Sequence, residues 1–385
     1  SGQMSSTINT SIAVPSSNIA SRHTQRRIKR IMSVIIIALA YTGTYMKEPF
    51  ARTERKIAVI GGGTGSFTLL SALKDHTSQI AALVNMADDG GSTGVLRDEL
   101  GALPPGDVRQ CLVALSSSPK VRDLFNYRFE EGTFQGHSFG NILLSALEKV
   151  NGNFSEAVET ASEILRVNGV VIPATLDNVR LQLAWPEVRT VLHGERVIDA
   201  DYFRHDPRKA QLSLLPAASP NPQAITAIHD ADLIVIAPGD LYTSLGPLLV
   251  INGIGEALAQ SKATKIYVCN LVTKRGQTEG FSVADHADEI ERFAGQQFLD
   301  YVLYNNQQPD DVLAKRYKQE GAYLVDPAHD QLADKQYQAV GGSFLGLVNE
   351  RETADRLPVT RSFIRHDPGA VASAIIELYD STNAI

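Results

Sequence analysis

The segment Lys56-Ile-Ala-Val-Ile-Gly-Gly-Gly-Thr-Gly65 runs a short apolar β-type stretch straight into a glycine-rich turn. Ser66 to Lys74 then takes up helical spacing. A turn of this kind brings bare backbone N–H groups against an anion, and the helix N-terminus adds partial positive charge at the same place. Gly61, Gly62, Gly63, Thr64 and Gly65 are therefore candidates for holding a phosphate-bearing ligand; the alternative is a tight strand-to-helix turn and nothing more. Ser66 stands where a dinucleotide fingerprint needs its third glycine, and P-loop spacing is missing.

Further polar loops follow other predicted strands. Asp88, Asp89, Gly90 and Gly91 place adjacent carboxylates in a glycine-rich loop. They suit a ribose or sugar hydroxyl, or Mg²⁺ beside a diphosphate; an Asx turn capping the next helix is the structural alternative. In Leu103-Pro-Pro-Gly-Asp107-Val-Arg109, Asp107 reads as a helix N-cap. Arg109, ill placed for the helix dipole, is aimed at an acidic partner or a ligand phosphate. Ser138 caps another helix. His137 beside it is an acid–base group or a local hydrogen-bonding residue, and Asn141 reaches a base edge or a backbone carbonyl. Gly239-Asp240-Leu-Tyr242-Thr243-Ser244 makes a second glycine turn, where hydroxyls and N-terminal amides suit an anion. Asp240 would oppose a phosphate there unless Mg²⁺ or a sugar hydroxyl intervenes. The stretch from Asn270 adds Thr273, Lys274 and Arg275. Together these loops describe one cleft with anion donors, a carboxylate pair and cations, suited to a nucleotide diphosphate with an attached group. There is no serine nucleophile elbow, no HExxH and no Cys/His metal set.

The elements that must position these loops alternate. Strands are predicted at 56–60, 80–85, 232–237, 265–269 and 301–304, and helices at 66–74, 106–115, 138–150, 154–165, 222–230, 248–259, 284–293 and 371–378. The pattern predicts a Rossmann-like α/β fold: an open, mostly parallel sheet with helices on both faces. Residues 170–215 read as a small β-rich, antiparallel insertion, and 327–362 gives no clear signal. The net charge of −7, with no basic patch, argues against nucleic acid as a partner. Cys111 and Cys269 read as buried thiols. Residues 1–50 form an extension apart from the domain at 51–385. It is polar at first, then basic at Arg26–Arg30, then apolar over Ile31–Tyr41, too short to span a bilayer as a helix. The extension resembles a signal peptide with an overlong leader; the preferred reading is disordered or non-native sequence, with Met46 as a natural start.

Five motifs in order carry a resemblance: Gly-Gly-Gly-Thr-Gly (61–65), Ala-Asp-Asp-Gly-Gly-Ser-Thr-Gly (87–94), Leu-Pro-Pro-Gly-Asp-Val-Arg (103–109), Gly-His-Ser-Phe-Gly-Asn (136–141) and Pro-Gly-Asp-Leu-Tyr-Thr-Ser (238–244). They resemble the YvcK-type gluconeogenesis factors of the CofD-like superfamily over residues 56–380. The resemblance implies a cytoplasmic protein that binds a UDP-sugar such as UDP-N-acetylglucosamine; a homo-oligomer is a separate expectation. It implies a regulatory role linking carbon metabolism to cell-wall precursor supply and cell shape, with a cell-wall precursor enzyme as partner and no membrane or nucleic-acid partner. Mg²⁺ is the one cofactor it admits, at Asp88 and Asp89, and it assigns no catalytic residue. Gly61–Gly65, Asp88–Gly91, Gly239, Tyr242, Thr243, Ser244 and Asn270 would line the cleft, with Tyr317 and Arg365 as further ligand contacts. The alternative it implies is a CofD-like transferase, moving a phospholactyl-type group from a guanosine diphosphate donor to a deazaflavin. Three positions depart from the pattern: Asp240 where many members carry Ser, Lys274 where many carry Gln, and Pro368 where some carry Thr.

Overall fold

The computed structural model describes residues 55–309, 311–346 and 365–383; the expected N-terminal extension lies outside them. Strand β1 (Ile57–Gly61) is buried along its whole length, as a strand covered on both faces must be. It pairs in parallel with β2 (Ile80–Val84) on one side and with β7 (Leu233–Ile236) on the other. Beyond β2 lies β3 (Val170–Pro173); beyond β7 follow β8 (Thr264–Val268), β9 (Tyr301–Asn305) and β10 (Gln338–Gly342). All pairings in this seven-stranded sheet are parallel, in the order β10-β9-β8-β7-β1-β2-β3. The strand order reverses direction between β1 and β7. At such a switch point the loops leave to opposite faces and a crevice opens outside the carboxyl ends of the strands.

The helices that flank the sheet are α1 (Gly63–Leu73), α2 (Gly91–Leu100), α3 (Gly106–Leu115), α4 (Pro119–Asn126), α5 (Phe139–Asn151), α6 (Phe154–Leu165), α7 (Glu195–Ala200), α8 (Pro222–Asp230), α9 (Gly246–Leu249), α10 (Ile254–Gln260), α11 (Val283–Ala294), α12 (Asp311–Glu320), α13 (His329–Leu332) and α14 (Pro368–Asn383). No described helix is long and apolar enough to cross a membrane. A second, antiparallel sheet of order β5-β4-β6 is made by β4 (Arg180–Trp185), β5 (Thr190–His193) and β6 (Gln211–Leu215). Its Leu181, Leu183 and Trp185 join Ile60, Ile234 and Ile236 of the main sheet in one buried cluster. Each such side chain contributes about 1.5–3 kcal/mol on leaving water, so the small sheet is fused to the core.

Two expectations are corrected, and one unread stretch gains structure. Val170–Pro173 is the edge strand of the main sheet, registered as Ala81↔Val170; its partner is remote in sequence, so local reading grouped it with the insertion. The helix expected over 248–259 is broken. A π-helical turn (Leu241–Leu245) leads into α9, and α10 starts only after Gly253, whose φ of +84° interrupts regular helix. Within the unreadable 327–362 stretch, α13 and the glycine-bearing β10 take their places.

Candidate functional site

Helix α1 starts directly from β1 at the switch point. Its N-cap, Gly62, offers no side chain, and its first turn holds no acidic residue. The helix therefore supplies no side-chain cap of its own to its N-terminal amides and positive dipole end. A Cβ on Gly65 would overlap the Pro238 carbonyl, so only glycine lets the loops after β1 and β7 close on each other. Between them opens a cavity of about 300 Å³, lined by Thr64, Gly65, Gly239, Asp240, Asn270 and Arg365 among others. Six predicted residues from four separate segments thus meet in one place. Asn270 fixes the β7 loop with a two-pronged clamp: Oδ1 accepts from the Gly239 N–H (3.1 Å) and Nδ2 donates to its carbonyl (2.7 Å). His366, unanticipated, lines the same cavity. Burial pushes its pKa down to about 4, so the ring is neutral at physiological pH, and Nε2 donates to the Cys269 carbonyl at 3.2 Å. Arg365 is the one cation among the cavity's described lining residues.

Acidic groups gather on the other side of the β1 turn. Asp107 does not cap its own helix, whose N-cap is Pro105. Its buried carboxyl instead accepts from the Gly63 N–H and lies against Gly62. Burial first, then the charge of Asp88, pushes its pKa up to about 7. Asp88 is likewise raised, chiefly by burial, although its Oδ1 accepts from the Gly90 N–H at 2.8 Å. Glu195, at the start of α7, is pushed to about 9 by burial and then by Asp88 and Asp199. Sequence reading missed Glu195 because it sits in the insertion outside any motif. Crowded carboxylates of this kind are relieved by a proton, a sugar hydroxyl or a cation. Among the described residues no group of three acidic, His or Cys side chains has metal-holding spacing. Mg²⁺ commonly uses one or two carboxylates, waters and substrate phosphates, and the Asp88–Asp107 pair fits that partial donor set. When bound there, the ion would neutralise a diphosphate.

Other predicted residues serve the fold. Asp89 accepts from the Arg196 N–H (2.8 Å) and pairs with Arg180 (3.1 Å), tying the β2 loop to the insertion. Asp240 occupies the amides once assigned to an anion, accepting from Tyr242 N (3.1 Å) and Thr243 N (3.3 Å). The Tyr242 ring lies in the core against Phe203 and Phe293, and its hydroxyl donates to Glu289 at 3.0 Å. It therefore faces away from the cleft. Thr243 Oγ1 donates to Asp199 at 3.5 Å, and Ser244 packs beside Gly239. The Thr273 hydroxyl accepts from Tyr323 N (3.1 Å) and holds a loop together. Arg109 donates to two neutral amides, Asn141 (2.9 Å) and Asn126 (2.5 Å). Asn141 also donates to Ser92 (3.4 Å), which bonds His137 (2.9 Å). Arg109, Asn141 and His137 are thereby joined into a local network. Ser138 caps α5 as expected. Gly90 and Gly91 begin α2. The Tyr317 side chain lies outside the described residues.

Asp240 and Lys274 form an ion pair at 2.6 Å, and Lys274 also meets Asp199 at 2.6 Å. Burial alone would raise the Asp240 carboxyl, but Lys274 outweighs it and holds the pKa below the ordinary value. Two positions at which the resemblance implies other residues are thus ion-paired with each other.

A parallel sheet with a 3-2-1 order reversed at β1, and a cavity over that reversal, defines the class as a Rossmann-like α/β protein. Residues 57–345 match the family described as 2-phospho-L-lactate transferase CofD. A protein from Clostridium acetobutylicum named putative gluconeogenesis factor is 39% identical over 324 residues, covering 84% of this chain and 69% of that protein. The gluconeogenesis factor of Bacillus subtilis is 38% identical over 326 residues, covering 84% and 98%. The crystal structure of a UPF0052-family protein from Bacillus halodurans superimposes with a TM-score of 0.73 at 35% identity, over 84% of this chain and 99% of that one. The chain belongs to the CofD family, and its curated relatives carry the gluconeogenesis factor name.

Proposed function

We propose that this protein is a cytoplasmic nucleotide-sugar sensor. It binds a UDP-N-acetylglucosamine-type ligand in the switch-point cleft and links carbon metabolism during gluconeogenic growth to cell-wall precursor synthesis and cell shape. A cell-wall precursor enzyme is its proposed partner, and a homo-oligomer its proposed state. The supporting observation is the cavity that joins the start of α1 to Gly239, Asn270 and Arg365. Helix amides and one guanidinium suit a diphosphate, and the carboxyls of Asp88 and Glu195 suit sugar hydroxyls.

A second reading is favoured by the family's own description as a transferase. In it the same cleft holds a guanosine diphosphate donor, and a phospholactyl-type group passes to a deazaflavin. Calorimetric titration with UDP-N-acetylglucosamine, UDP-glucose, GDP and GTP, with and without Mg²⁺, separates the two. Tight UDP-sugar binding without product over hours supports the sensor. Preferential guanine-nucleotide binding with Mg²⁺-dependent turnover refutes it.

A further inference from the structure

A second hollow, of about 240 Å³, lies over the carboxyl ends of β8 and β9. It shares Asn270 and Leu271 with the cavity at the switch point. One part of its lining is amide: Asn305, Asn306, Gln307 and Gln308. Another is apolar, with Leu271 and Leu324. None of its described lining residues is Asp, Glu, Lys or Arg, so it suits an uncharged part of a ligand.

We propose that this hollow seats the nucleobase, with the amides of Asn306, Gln307 and Gln308 reading its edge. Carboxamides both donate and accept, which matches the alternating edge of a base, and apolar side chains such as Leu271 and Leu324 can pack on the face of a ring. A hydroxyl-rich sugar is better served by the carboxyls at the opposite end of the cleft, around Asp88 and Glu195. The sheet order places the three parts in line: base over β9 and β8, phosphates over β7 and β1, sugar toward β2. Strands in a sheet are about 4.8 Å apart, so this row follows an extended ligand across the carboxyl edge. The reading loop is also held in place. Asn305 Oδ1 accepts from Phe344 N (3.0 Å), its Nδ2 donates to the Gln307 carbonyl (2.7 Å), and Asn306 N donates to the Gly342 carbonyl (2.9 Å). Asn305 thus anchors the loop to the β10 side, and its neighbours present the hydrogen-bonding groups.

The inference rests on the nucleotide reading above, and its test separates the two. Calorimetry on the full chain compares UDP, CDP, GDP, ADP and inorganic pyrophosphate. The wild type should prefer one base by at least about tenfold, because a site built to hydrogen-bond one edge rejects others. Combined Asn306→Ala, Gln307→Ala and Gln308→Ala should erase most of that preference and leave pyrophosphate affinity unchanged. Gln307→Trp, at an exposed position that tolerates bulk, should fill the hollow and weaken every nucleotide, again without changing pyrophosphate. Variants that keep the wild-type preference overturn the inference, as does a wild type that binds nucleotides without discriminating bases; both results leave the nucleotide reading standing. A wild type that binds none of the nucleotides overturns the reading and the inference together.

Discussion

Asp107→Asn tests the electrostatics of the cleft. The Asp107 pKa rises from 3.8 to about 7 in the folded protein, through burial and then Asp88. The folded chain therefore binds that proton more tightly than the unfolded chain. Folding takes up a proton between about pH 4 and 7, and stability is lost as pH rises through this window. A three-unit shift corresponds to about 4 kcal/mol at most. Part of it is mutual repulsion with Asp88, so about 2 kcal/mol is a fair share for removing one charge. The variant keeps an oxygen to accept from Gly63 N–H and loses only the charge. Scanning calorimetry should find it roughly 2–5 °C more stable than wild type at pH 8 and equal near pH 4. Burial, Asp88 and Asp199 carry most of the Glu195 shift to about 9, so its slope persists in the variant, slightly reduced by the loss of the Asp107 charge. Because the carboxylate stands at the start of α1, the variant should also bind a nucleoside diphosphate more tightly without Mg²⁺. Parallel melting curves for the two proteins from pH 4 to 8 would refute the reasoning.

Three further outcomes follow from named contacts. Lys274→Gln removes the half-buried ion-pair partner of Asp240 and should cost about 1 kcal/mol in urea unfolding, solvent screening keeping it below the cost of breaking a buried pair; adding Asp240→Ser should restore at least about half of that, the signature of coupled sites. Tyr242→Phe loses the buried bond to Glu289 and should cost about 1–2 kcal/mol, while calorimetric ligand affinity stays at the wild-type value because the ring faces the core. Arg365→Gln should weaken diphosphate binding roughly 10- to 100-fold, with the ligand-free melting temperature moved by no more than about 1 °C.

What sequence made legible was local. The β1 strand and its glycine turn announce themselves because continuous apolar burial and bare backbone both follow from adjacent residues. The same holds for the Ser138 cap. Roles that depend on remote partners were hidden. Asp107 has the spacing of a helix cap, but the turn after β1 reaches it first. Asp89 reads as half of a carboxylate pair until the insertion brings Arg180 and Arg196 against it. Tyr242 reads as a cleft hydroxyl because nothing nearby shows that Phe203 and Phe293 enclose it. Val170–Pro173 could not reveal a parallel partner so far away in the chain. The cavity itself was predicted as a convergence of loops; its membership was fixed only by strand order.

The central claim is that a diphosphate sits at the switch point between β1 and β7. A crystal structure of the protein with UDP-N-acetylglucosamine tests it most directly. Phosphate density should lie between the Thr64–Gly65 start of α1 and Gly239, within hydrogen-bonding reach of Arg365. Nucleotide density elsewhere on the molecule, with that cavity holding only solvent, would contradict it.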